Sequence, residues 1–113
     1  MIRRRHILSA AAASLLLLPG QAAAAAKYTT SQATSIVKQG FTQQIKARTA
    51  LSGQAKFIGT TMKCTLIGYQ TWTCYGTYTA KIDGEYATYG VYISANDTQW
   101  KTLGNGTLIK EWT

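Results

Sequence analysis

Asp83-Gly84 stands between two runs in which every second residue is apolar or small, "TWTCYGTYTAKI" and "EYATYGVYISAN". The dipeptide favours a two-residue turn with positive φ at both positions, so the chain reverses there and the two runs become neighbouring antiparallel strands. Folding at that point sets a register: Ala80 opposite Ala87, Tyr78 opposite Tyr89, Gly76 opposite Val91 and Cys74 opposite Ile93. The apolar set of one strand then meets the apolar set of the next. A slip of one residue would turn every one of these side chains to the other face, so turn chemistry and alternation point to the same pairing.

Upstream, "KFIGTTMKCTLIG" also alternates, placing Ile58, Thr60, Met62, Cys64 and Leu66 on one face. A turn centred on Tyr69 brings Leu66 opposite Trp72 and Cys64 opposite Cys74. Facing cysteines on adjacent strands meet disulfide geometry most easily at a non-hydrogen-bonded pair, where the backbones lie closest. For so short a loop the cross-link is worth about 2.5 to 3 kcal/mol. A zinc site needs about four ligands, and the chain has no histidine after His6. A C-x-x-C redox spacing is also missing. A structural disulfide is therefore expected. Downstream, a turn at Asn96-Asp97 is expected to set Trp100 opposite Ile93. Asn105-Gly106 is expected to add one more short hairpin, ending at Trp112.

Before these strands the period lengthens. From Ser31, Ala33, Ile36, Val37, Phe41 and Ile45 recur at three- and four-residue spacing. Ile36, Val37, Phe41 and Ile45 form an apolar stripe on a helix whose other side carries Lys38, Gln39, Gln43 and Lys46. Thr30 or Ser31 can cap its start and Gly53 its end. Gly40 weakens the middle of the helix but allows a sheet to approach closely. A helix stripe and a one-sided sheet must cover each other. The expected fold is α+β, with one N-terminal helix packed across a four- to five-stranded antiparallel meander and one disulfide.

The first 26 residues read as a secretory signal peptide. Arg3, Arg4 and Arg5 precede an apolar run of about a dozen residues, Pro19 and Gly20 break it, and small residues follow, so cleavage is expected near Ala24 or Ala26. The run is shorter than the roughly 20 residues that cross a bilayer. Arg4-Arg5 also fits the core of a twin-arginine signal, and both export routes stay open. A secreted protein, extracellular or periplasmic, is the expected outcome, with one domain over residues 27–113 and no transmembrane segment in the mature chain. The oxidising compartment suits the disulfide.

Little in the chain suggests catalysis. Without histidine or a free thiol in residues 27–113, a Ser/His or Cys/His pair cannot be built. The four acids (Asp83, Glu85, Asp97 and Glu111) sit at turns or near the C-terminus rather than paired in one cleft. No nucleotide or phosphate-loop motif occurs, so no cofactor or metal is expected. Nine of the twelve lysines and arginines follow Ala26, together with all four acids. They are scattered along the chain, which gives no sign of a nucleic-acid groove but allows weak attraction to an anionic envelope.

The order of features, a helix followed by "FIGTTMKC" and "TWTCYGTYTAKIDGEYATYGVYISANDTQW", resembles small secreted or lipid-anchored actinobacterial proteins with a cystatin-like fold. The resemblance rests on Cys64, Cys74, Asp83-Gly84, and Asn96-Asp97 leading to Trp100. It implies the fold and little about activity, since such proteins mostly lack an assigned function. The Q-x-V-x-G hairpin through which cystatins inhibit proteases does not occur here.

Any binding role then falls to exposed side chains. The register places Tyr75 opposite Tyr92 and Lys81 opposite Tyr86 on the sheet face away from the helix, among Thr73, Thr77, Thr79 and Thr88. Tyrosine offers area at low entropy cost with a polar end. The Tyr69 hairpin tip, clamped by the cystine, is a second candidate. The expected function is non-enzymatic binding or inhibition of an extracellular protein or a glycan. The other reading is a basic envelope-associated protein without a specific protein target.

Overall fold

A computed structural model describes residues 14–15 and 27–113. The leader expected over residues 1–26 therefore lies outside the described residues, apart from Ser14 and Leu15. In chain order the elements are β1 (Ser14–Leu15), α1 (Thr30–Ser52), β2 (Ala55–Gly68), β3 (Thr71–Ile82), β4 (Glu85–Asn96) and β5 (Gln99–Trp112). The strands form one antiparallel sheet in the order β1-β5-β4-β3-β2, in which β2 to β5 are the meander and the two-residue β1 lies against β5.

Helix α1 begins one residue earlier than its pattern suggests. Thr29 is the N-cap: its hydroxyl accepts from the Gln32 amide at 3.1 Å, and the Gln32 side chain accepts from the Thr29 amide at 2.9 Å. This reciprocal box satisfies two otherwise unpaired donors. Neither Thr30 nor Ser31 is the cap. Thr30 instead turns its hydroxyl to accept from the Trp72 indole at 3.1 Å, joining the helix start to β3. At the other end Gly53 takes the left-handed conformation, φ 69°, that stops a helix without a Cβ clash. The buried stripe is Ala33, Val37, Phe41, Ile45 and Thr49, with Ile36 partly covered beside it.

The β3–β4 hairpin has the register that Asp83-Gly84 implies, with Tyr78↔Tyr89, Cys74↔Ile93 and Tyr75↔Tyr92 paired. Asp83 and Gly84 have φ of 53° and 80°. On the inner face Trp72, Cys74, Tyr78, Ala80, Ile82, Ala87, Tyr89, Val91, Ile93, Ala95 and Trp100 are buried beneath the helix stripe. Tyr78 stacks on Tyr89 with ring centroids 5.1 Å apart and meets the edge of Phe41. Gly40 lets the helix sit close over Trp100: a Cβ there would lie 2.8 Å from the Trp100 ring.

Three expectations about the strands fail, each for a local reason. A bulge between Phe57 and Gly59 rotates β2, so Phe57 packs against the core and Ile58 is 46% exposed instead of facing inward. The β4–β5 loop is Asp97-Thr98, because the Asn96 side-chain oxygen accepts from the Thr98 and Gln99 amides at 2.8 and 2.9 Å. Trp100 consequently pairs with Ala95, and Ile93 with Thr102. A shift of two keeps Trp100 on the inner face, where it is buried. Asn105-Gly106 forms no hairpin: β5 continues through a register shift between Gly90 and Tyr92, with Gly104 at φ 77°. Continuing lets β5 pair as far as Tyr86↔Trp112, whereas a reversal would leave the first half of β4 paired with β3 alone and its other edge without backbone partners.

Candidate functional site

Pairing fixes what the uncovered side of the sheet carries, because residues directly opposite one another share a face. Read across β2, β3, β4 and β5, one rung is Lys56, Lys81, Tyr86 and Trp112. The next are Gly59, Thr79, Thr88 and Lys110, then Thr61, Thr77, Gly90 and Thr107. Lys63, Tyr75, Tyr92 and Leu103 follow, and Thr65, Thr73, Ser94 and Lys101 complete the face. This surface holds five lysines and no acid. Glu85 and Glu111 pair at inner-face positions with Ile82 and Ala87, and Asp83 and Asp97 lie in the loops.

The candidate tyrosines sit in two groups. Tyr75 and Tyr92, 38% and 59% exposed, contact each other at 4.9 Å with a tilt of 57°. Gly90 makes room for this pair: a side chain there would collide with the Tyr75 hydroxyl and with Ile109. Tyr86 is stacked on Trp112 at 5.3 Å, with Lys81 over the Tyr86 ring at 5.2 Å and Lys110 over the Trp112 ring at 5.0 Å. Between the groups lie threonines whose hydroxyls bond across strands, Thr61 to Thr77 and Thr79 to Thr88. Lys81 is thus brought to Tyr86 as its register implies.

Sequence reading missed Trp112, Lys110, Leu103 and Lys101 as members of this face, along with Lys56; alternation alone puts Lys63 on it. Treating the last segment as a separate hairpin hid the β5 residues. The signal was present, since counting from the β4–β5 turn places Lys101 and Leu103 beside Ser94 and Tyr92. Charges scattered along the chain are gathered by the meander.

Tyr69, 74% exposed, lies elsewhere, at the β2–β3 tip, with Lys27 over its ring at 5.4 Å. The tip is held twice. Cys64 and Cys74 are disulfide-bonded with Cα atoms 3.9 Å apart, on the inner face next to the Lys63–Tyr75 pair. Gln70, in a left-handed conformation, accepts from the Tyr28 amide at 2.7 Å and donates to the Tyr28 carbonyl at 3.0 Å. Leu66, Ile67 and Tyr69 are exposed together there.

Other features offer less. A shallow depression of about 320 Å³ along α1 is lined by Ser35, Lys38, Gln39, Thr42, Gln43 and Lys46, a set without acid, thiol or imidazole. Among the described residues no three His, Cys, Asp or Glu side chains group to hold a metal ion, and no helix is long and apolar enough to cross a membrane.

No family model, curated protein or solved structure matches the chain. What stands of the resemblance is the architecture alone, one helix packed on a four-stranded antiparallel meander with one disulfide.

Proposed function

We propose that this protein is a non-enzymatic binding domain, delivered outside the cytoplasm, that engages a protein or a glycan through the outer face of its sheet. The observation that carries the reading is the uncovered Tyr75–Tyr92 pair in a continuous surface of threonine, tyrosine and lysine. Such a face combines large amphipathic rings with hydroxyl donors and acceptors on a rigid frame, so little order is lost on binding. The arginine-rich leader and the Cys64–Cys74 disulfide support an oxidising compartment. Catalysis has no support in a face of hydroxyls and ammonium groups whose register positions hold no carboxylate.

The test is binding of the labelled protein to a cell-envelope preparation from its source, comparing wild type with Tyr75→Ala plus Tyr92→Ala. Saturable binding that weakens at least tenfold in the variant is the expected result. Equal binding by both proteins would reject the outer face. A second reading, docking through the tip, has its own observation in the joint exposure of Leu66, Ile67 and Tyr69. There, Tyr69→Ala would be the variant that loses binding.

A further inference from the structure

The outer face carries a charge arrangement that stability does not explain. Lys56 lies directly opposite Lys81 across β2 and β3, and like charges in that position work against strand pairing. Lys110, Lys63 and Lys101 occupy the same face, and no register position on it holds a carboxylate. A fold selected for stability alone would intersperse acids here, as the loops and inner-face edge positions do with Asp83, Asp97, Glu85 and Glu111. The lysines are also ordered. Two rungs combine lysine with aromatic rings, Lys56-Lys81-Tyr86-Trp112 and Lys63-Tyr75-Tyr92-Leu103, and they are roughly 20 Å apart at the usual strand rise. The threonine rungs fill the space between them.

Resting on the reading of this face as a binding surface, we infer that its ligand is an acidic polysaccharide, a glycan chain bearing carboxylates along its length. Three kinds of side chain match three features of such a chain. The ammonium groups meet spaced carboxylates, the threonine and tyrosine hydroxyls meet sugar hydroxyls, and the exposed aliphatic side chain of Leu103, beside Tyr92, meets the carbon faces of the sugars. Bound carboxylates would also relieve the Lys56–Lys81 repulsion. Nucleic acid fits less well. Single strands are held by stacking bases on free ring faces, but Tyr86 and Trp112 stack on each other beneath lysines, and Tyr75 and Tyr92 are tilted together. The face also lacks arginine, whose planar fork suits phosphate.

The experiment titrates the purified, folded protein by calorimetry with polygalacturonate, fully methyl-esterified polygalacturonate, a thymidine oligonucleotide and anionic phospholipid vesicles. Polygalacturonate is expected to bind at least tenfold more tightly than the ester, the oligonucleotide or the vesicles. Lys81→Gln plus Lys110→Gln is expected to weaken it about tenfold. Lys38→Gln plus Lys46→Gln, on exposed helix positions, removes the same charge and is expected to leave binding within twofold. All these lysines are surface residues, and a melting curve for each variant verifies folding. Equal loss in both lysine variants would reduce the effect to net charge and overturn the inference. Oligonucleotide or vesicles binding as tightly as polygalacturonate would overturn it in favour of those partners. If envelope binding needs Tyr75 and Tyr92 but polygalacturonate does not bind, the face remains a binding surface and the acidic-polysaccharide assignment alone falls.

Discussion

At the scale of single residues, Gly40 shows packing overriding propensity. In an exposed helix interior, alanine for glycine gains up to about 1 kcal/mol. Here the new methyl would lie 2.8 Å from the buried Trp100 ring, which has no room to retreat. Overpacking costs about 1 to 3 kcal/mol. Gly40→Ala is therefore expected to destabilise the protein by about 1 kcal/mol net, read from urea unfolding. Tyr78 gives a second prediction. Burial, and then the neighbouring Tyr89, push its phenol well above the ordinary tyrosine value. Below pH about 10 both folded and unfolded chains keep the proton, and the stability is complete. Above it the unfolded chain releases the proton first, so stability is lost as pH climbs toward the raised folded value. Tyr78→Phe removes this contribution, and its melting temperature should fall less steeply than that of wild type between pH 10 and 12.

At the scale of elements, the β2–β3 hairpin depends on its cross-link. Replacing Cys64 and Cys74 together by alanine should lower stability by about 2.5 to 3 kcal/mol, as should reduction by dithiothreitol. Chemical denaturation of the three samples checks this. The element scale is also where sequence and structure diverge. The β3–β4 pairing was legible because a turn dipeptide and an alternating pattern agreed. The β2 start was not, because Phe57 and Ile58 are both apolar and alternation cannot say which points inward. A bulge decides it by admitting Phe57. Asn105-Gly106 misled because the same dipeptide that reverses a chain also suits a bulge, and only the unfilled length of β4 distinguishes them. Thr29 was overlooked as the cap because its partner Gln32 acts through the side chain on backbone rather than through apolar periodicity.

At the scale of the whole molecule, the meander separates two tasks: the inner face carries the core and the outer face carries the charge. Half of the candidate site followed from pairing arithmetic, namely Tyr75 with Tyr92 and Lys81 with Tyr86. The other half required β5 to be placed, since Trp112 and Lys110 reach the face only through its two register shifts. Removing outer side chains should accordingly leave the core intact. Tyr75→Ala plus Tyr92→Ala is expected to cost no more than about 1 kcal/mol, the worth of a cross-strand aromatic pair, as measured by thermal melting. The two-way grip of Gln70 on Tyr28 has an effect at the chain's entrance. Once the leader is cut near Ala24 or Ala26, as proposed, an aminopeptidase working inward could clip the residues up to Lys27 and would then meet a residue whose ring is sunk in the core and whose amide and carbonyl are both engaged. Ragged preparations should pare back to a uniform Tyr28 start and stop there.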